Sequence, residues 1–155
     1  MRGLGVEKRD QGRLHLPAQH TPQAPSEDPA VIVGLGVDLF EVDRLEEQLR
    51  TQGADFGQGL FTPDEIAYCE SQHYPAQHYA ARFAAKEAVF KALALDGREG
   101  APWHDVEVRA GGNGSPHLVL HGKIQELAES RQVRRIFLSL SHTRALATAS
   151  VILES

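Results

Sequence analysis

A single cysteine, Cys69, among 155 residues excludes an internal disulfide and suits a reducing compartment. There is no surplus of positive charge: the formal net charge is −5 and the pI about 5.9, which excludes general binding to nucleic acid. No apolar run approaches the ~20 residues of a membrane span. The first 30 residues lack the apolar segment of a secretory signal. These absences read as a soluble, cytoplasmic protein without nucleic-acid or membrane partners. What is present, 41% hydrophobic and 24% charged residues, suits one globular domain with a core of ordinary size.

Residues 1–29 hold four of the eight prolines and show no apolar periodicity, so they read as a disordered leader before a domain over 30–155. "VIVGLGVDLF" reads as a buried strand and "EVDRLEEQLRTQG" as a helix. "TPDEIAYCESQ" opens a further helix with Thr62 at the N-cap, Pro63 at the first helical position and Glu65 completing a capping box. A long helix is predicted over about 76–95, with Gly97 available to end it. "WHDVEVRA" and "PHLVLHG" alternate like strands around the turn signal "GGNGS", and "KIQELAES" forms a short helix. "RRIFLSLSH" and "ALATASVILE" read as an antiparallel pair. A strand, then helices, then mostly strands gives an α+β class.

Within the long helix, "RFAAKEAVFKAL", the alanines 81, 85, 88 and 92 fall on one stripe. Arg82, Phe83, Lys86, Glu87, Phe90 and Lys91 share the opposite half. A carboxylate between two phenylalanines is expensive to bury unless a cation holds it. The plain account is an ion pair from Glu87 to Lys91 four residues on, worth about 0.2–0.5 kcal/mol. That leaves Arg82 and Lys86 unexplained. Three cations around one carboxylate suit a face that meets an anion together with a metal ion. Mg²⁺ takes one or two carboxylates and completes its shell with water and phosphate, and Asp38 is the natural second ligand. Asp38 has its own plain reading, an N-cap with Glu41 closing a capping box, and Gly36 beside it would let a ligand approach the backbone.

Other motifs are weaker. "GLGVDL" has Leu39 where a dinucleotide fingerprint needs its third glycine, and "GGNGS" lacks the Gly-Lys-Ser/Thr of a P-loop. "SLSHTRA" puts His142 at a strand end beside Ser139, Ser141 and Thr143, either as a turn with hydroxyls satisfying the chain reversal or as a phosphate contact. A Ser–His nucleophile pair is disfavoured, because neighbours on a strand point to opposite faces. His73 and His78 form no zinc pattern, and Cys69, in a helix without a nearby cationic motif, reads as a packed thiol.

Three segments in order resemble the holo-acyl-carrier-protein synthases, the small class of 4′-phosphopantetheinyl transferases: "GLGVDLFEVDRL", "YAARFAAKEAVFKAL" and "LSLSHTRALATASVILE". The likeness spans about residues 31–154 and leaves the leader outside. It implies a phosphopantetheinyl-transferase-like α+β fold, an antiparallel sheet with a long buried helix. It also implies a reaction: transfer of the phosphopantetheine arm of coenzyme A to a serine of an apo acyl carrier protein, in fatty acid biosynthesis, releasing adenosine 3′,5′-bisphosphate. By resemblance Asp38 and Glu87 hold Mg²⁺ with the coenzyme A diphosphate. Lys91 neutralises the departing group, and Arg82 and Lys86 hold phosphates. His142, with Ser141 and Thr143, contacts coenzyme A. The serine proton goes to Asp38, by way of a water, or to Glu87. The small class forms homotrimers with coenzyme A between subunits, and the acidic carrier docks on basic residues of the first helix. Arg44 matches that pattern and Arg50 supports it. Glu46 and Glu47 on the same helix, and "GQGLFT" without an arginine often found there, depart from it.

Two other classes account for parts of the pattern. A non-catalytic coenzyme A binding subunit would need no Asp38–Glu87 pair. A Mg²⁺-dependent pyrophosphohydrolase would use both carboxylates but leave the closing hairpin unexplained.

Overall fold

The computed structural model describes residues 29–95, 102–112 and 114–155. The expected leader, apart from Pro29, and Gly97 lie outside them. Strand β1 (Ile32–Glu41) leads into α1 (Val42–Gln52), α2 (Ala54–Leu60), α3 (Pro63–Glu70) and the long α4 (Pro75–Ala92). A short 3₁₀ turn, Trp103–Asp105, precedes the hairpin β2 (Val106–Ala110) and β3 (Pro116–Leu120), then α5 (Gly122–Ser130), β4 (Arg135–His142) and β5 (Leu146–Glu154). The main sheet is antiparallel with order β1-β5-β4, and β2-β3 forms a separate ribbon. The α+β class and the closing antiparallel pair are as expected. The strand predicted from Trp103 begins only at Val106, and α2 was not foreseen. Helix α4 ends at Ala92, short of the predicted 95, and Ala94 follows with φ +46°.

Helix α4 is the centre of the molecule. From Tyr79 to Ala92 every residue except Lys91 is buried. Its apolar side chains contribute to two core clusters, one with β2, α5 and β5, the other with α1 and α3. It crosses β1 at unusually short range. A methyl on Gly36 would come within 1.8 Å of the Ala88 carbonyl oxygen, and one on Gly34 within 2.3 Å of the Ala92 carbonyl oxygen. The alanine stripe and the "GLG" of β1 are therefore two halves of one contact. Gly36 admits the helix, where the sequence had suggested a ligand.

Alternation along β1 then sorts its side chains. Gly36 and Asp38 are buried and Phe40 partly so, all facing α4, while Leu35, Val37 and Leu39 stand 63%, 52% and 62% exposed on the other face. Register carries this outward face across the sheet, with Leu35 opposite Ile152 and Ile152 opposite Phe137, itself 48% exposed.

Candidate active site

Asp38 is a strand residue, paired with Ala149 inside β1. The N-cap of α1 is Glu41, which makes no side-chain cap bond, so the expected Asp38–Glu41 capping box does not form. The strand runs on past Asp38 to Glu41, one residue beyond the predicted Phe40, because β5 pairs with it that far.

The row Phe83, Glu87, Lys91, spaced at i, i+4, runs along the seam between α4 and β1. At one end the rings of Phe83 and Phe40 meet edge to face with centroids 4.6 Å apart. At the other, Lys91 Nζ lies 2.8 Å from Asp38 Oδ1 and donates to the Val37 carbonyl at 3.0 Å. Glu87 stands between these two contacts, and Asp38 between Gly36 and Phe40. The two carboxylates, 49 positions apart in sequence, thus share one helix–strand seam, with Glu87 4% and Asp38 8% exposed. Lys91 spends its ion pair on Asp38 across the seam, and its side chain remains 47% exposed. Trp103 stacks on Phe83 at 5.3 Å and meets Phe90 edge-on at 5.1 Å, making an aromatic wall beside the seam.

The donor set fits Mg²⁺. Asp38 Oδ2 is a buried acceptor with no hydrogen-bond partner among the described residues. The two carboxylates offer hard oxygen, and no group of three or more potential metal ligands occurs among the described residues. A small set of oxygens, completed by water and phosphate, is what Mg²⁺ takes, whereas zinc prefers a fuller nitrogen and sulfur cage.

Lys86 departs from its expected role. Its side chain and that of Glu65 are both 0% exposed, with Nζ and Oε2 2.8 Å apart. The ammonium donates further to the carbonyls of Trp103 and Val106, using all three protons inside the protein. Glu65 in turn accepts from the backbone N–H of Thr62 and of Val108, both at 2.9 Å. Burial pulls the Lys86 ammonium below its ordinary range, against the opposing pull of Glu65. The capping box of α3 is present as predicted, but its Glu65 also ties α3 to α4 and β2. Only the three-dimensional contact reveals that second task.

Arg82 and His142 line a separate cavity of about 180 Å³ with Tyr68 and His78, neither of which the sequence had singled out as a ligand. The Arg82 guanidinium lies 3.9 Å over the Tyr68 ring, and its buried Nε has no acceptor among the described residues. The Ser141–Thr143 segment is divided. His142 enters this cavity, while Thr143 Oγ1 accepts from Ala145 N and Leu146 N within the β4–β5 turn. Ser141 sits on the outward face opposite Thr148. Thr143 thus performs the chain-reversal task, and His142 the cavity task. On α1, Arg44 is exposed and lies over Phe40 at 5.3 Å, whereas Arg50 is held by Glu47 at 2.7 Å. Cys69 is fully buried, and burial pushes its thiol up to about 12 even though Arg82 and Lys86, which the sequence did not place near it, oppose that shift.

A pair of buried carboxylates on a helix–strand seam, with a lysine at its mouth and an arginine–histidine cavity beside it, fits a phosphate-handling enzyme. The chain belongs to the 4′-phosphopantetheinyl transferase superfamily, whose sequence profile matches residues 34–149. Within that superfamily its relatives are holo-[acyl-carrier-protein] synthases. That of Solibacter usitatus is 47% identical over 125 residues, covering 81% of this chain and all 100% of the relative. That of Geobacter sulfurreducens is 45% identical over 124 residues, covering 80% and 98%. Among solved structures, the holo-[acyl-carrier-protein] synthase of Neisseria meningitidis superposes with a TM-score of 0.73 at 26% identity, covering 81% of this chain and 100% of that one. The Bacillus anthracis enzyme, in complex with CoA (3′,5′-ADP), gives 0.65 at 31% identity, covering 80% and 97%.

Proposed function

We propose that this protein transfers the 4′-phosphopantetheine arm of coenzyme A to a serine of an apo acyl carrier protein, with Mg²⁺, for fatty acid synthesis. The observation that supports the reading is the burial of both Asp38 and Glu87 along the α4–β1 seam, with one oxygen of Asp38 left available to a cation. The serine Oγ forms a bond to the phosphorus bearing pantetheine. The bond from that phosphorus to the bridging oxygen breaks, and adenosine 3′,5′-bisphosphate departs with the electron pair. Mg²⁺ bound at this seam would draw charge from the diphosphate oxygens. Lys91, half exposed at the mouth, supplies a positive charge toward the leaving group. Asp38 and Glu87 are the carboxylates on hand for the serine proton. Arg82 and His142 hold a second phosphate of coenzyme A.

Arg44 is the exposed cation of α1 suited to an acidic carrier, since Glu47 already engages Arg50. The outward apolar face of the main sheet, formed by Leu35, Val37, Leu39 and Phe137, is the surface through which copies of the chain would pack as a homotrimer. Among the described residues no helix is long and apolar enough to cross a membrane. The reading is tested by intact mass. With Mg²⁺ and coenzyme A, an apo carrier should gain one phosphopantetheine arm. An unchanged carrier mass across a panel of carriers overturns it, and release of phosphopantetheine into water points to hydrolysis instead.

A further inference from the structure

We propose that His78 makes the Arg82–His142 cavity a proton-linked site for a phosphate monoester, taking up a proton as the dianion binds. The inference rests on coenzyme A being the substrate. That molecule carries a diphosphate and, separately, a monoester on its ribose. The seam of Asp38 and Glu87 suits the diphosphate together with a cation. The cavity suits the monoester, because it offers positive charge with no carboxylate among its lining residues. Arg82 precedes Glu87 by five residues on α4, roughly 7.5 Å along the helix axis and about 140° around it, so the cavity and the seam are separate places, in keeping with two phosphate groups carried apart on one ligand.

Two of the groups around His78, His142 and Arg82, resist its protonation in the free protein. From β4, the His142 ring meets it edge-on at 5.2 Å. From α3, the Tyr68 ring lies 5.7 Å away. Arg82 follows one turn later on its own helix, and the β2–β3 hairpin contributes only Ala110, Gly114 and Pro116 to the lining. Burial, then His142, then Arg82 hold the imidazole below its ordinary range, leaving it neutral at pH 7. A phosphate monoester carries about −1.5 to −2 charges at that pH. Seated against the Nε of Arg82, it would reverse the repulsion and make the charged imidazole the favoured form. Affinity should then rise as pH falls, and protons should enter with the ligand.

The test is calorimetry of coenzyme A binding to the full chain with Mg²⁺, in buffers of different ionisation enthalpy. The wild-type protein should take up as much as about one proton per site near pH 7.5, and its Kd should tighten by up to about tenfold per pH unit between 8.5 and 7. His78→Asn should lose the uptake and flatten the profile. His78→Arg should bind tightly with a flat profile, which shows that charge at this position, rather than packing, sets affinity. Uptake that persists in His78→Asn overturns the proposal while leaving the coenzyme A reading intact, provided that 3′-dephospho-coenzyme A binds more weakly than coenzyme A. Equal affinity for the two ligands at every pH overturns the phosphate placement itself, and absence of any coenzyme A binding overturns the reading beneath it.

Discussion

Gly36 lies beneath Ala88 so closely that a single added methyl would reach 1.8 Å from the Ala88 carbonyl oxygen. The contact is backbone to backbone, so no side chain can rotate out of the way. Gly36→Ala should force α4 off β1 and cost at least about 1–3 kcal/mol, the usual penalty of overpacking. Because Asp38 and Glu87 lie on the two sides of this contact, transfer activity should fall further than the fraction unfolded explains. Urea unfolding and a rate measured on the folded fraction check both statements.

Asp38→Asn and Glu87→Gln should each reduce transfer by at least about 100-fold while preserving the fold, since each removes an ionised oxygen from the seam without changing its shape. Circular dichroism and intact-mass assay of the carrier read the two effects separately. Chelation of Mg²⁺ should abolish transfer reversibly. Full activity in both variants would eliminate the metal site.

Lys86 is a matter of stability, because its three protons are spent on Glu65, Trp103 and Val106. Lys86→Met strands the Glu65 carboxylate and should cost about 3–5 kcal/mol. Glu65→Gln should be milder, as an amide oxygen can still accept from Val108 N. Denaturation midpoints measured for both variants check the order.

Glu107 gives acid sensitivity with a definite sign. Burial pushes its carboxyl up, but the hydrogen bonds from Arg109 and His121, at 2.9 and 2.8 Å, outweigh burial and hold it below its ordinary 4.5. A depressed native pKa means that the unfolded chain binds the proton first. The stabilisation is present above about pH 4.5 and is lost as pH falls through the native value. Glu107→Gln should therefore flatten the stability profile between pH 5 and 3, as read by urea unfolding.

Leu39, 62% exposed beside Val37, tests the proposed assembly. Leu39→Arg should shift the molecular mass in light scattering from three copies to one, with transfer falling in parallel. A wild-type protein that is monomeric at micromolar concentration would end the trimer reading.

The sequence made some of this legible because the signals were local. The Thr62–Glu65 capping box, the "GGNGS" hairpin and the closing strand pair each rest on residues near one another, and all three form. Lys86 misled because a helical wheel assumes one wet face, and α4 has none across its core-crossing turns. With inside and outside undefined, Lys86 and Arg82 looked like neighbours of Glu87 on a single charged surface. They turn instead to Glu65 and to the Tyr68 cavity. The helix-cap alternative for Asp38 fails because β5 pairs with β1 past it as far as Glu41, which nothing near Asp38 in sequence announces. Helix α2, "ADFGQGL", carries two glycines in seven residues and offered little propensity to read.

Strand β1 leaves almost no room for insertion or deletion. Its inner series of Gly34, Gly36, Asp38 and Phe40 interleaves with an outer series of Leu35, Val37 and Leu39. One residue gained or lost between Gly36 and Asp38 would put the residues on either side of it on opposite faces, turning the aspartate outward and driving leucine into the bed of α4. Chemistry and surface are thus written in alternate letters of a single ribbon, and evolution can revise either set only by substitution, never by changing the count.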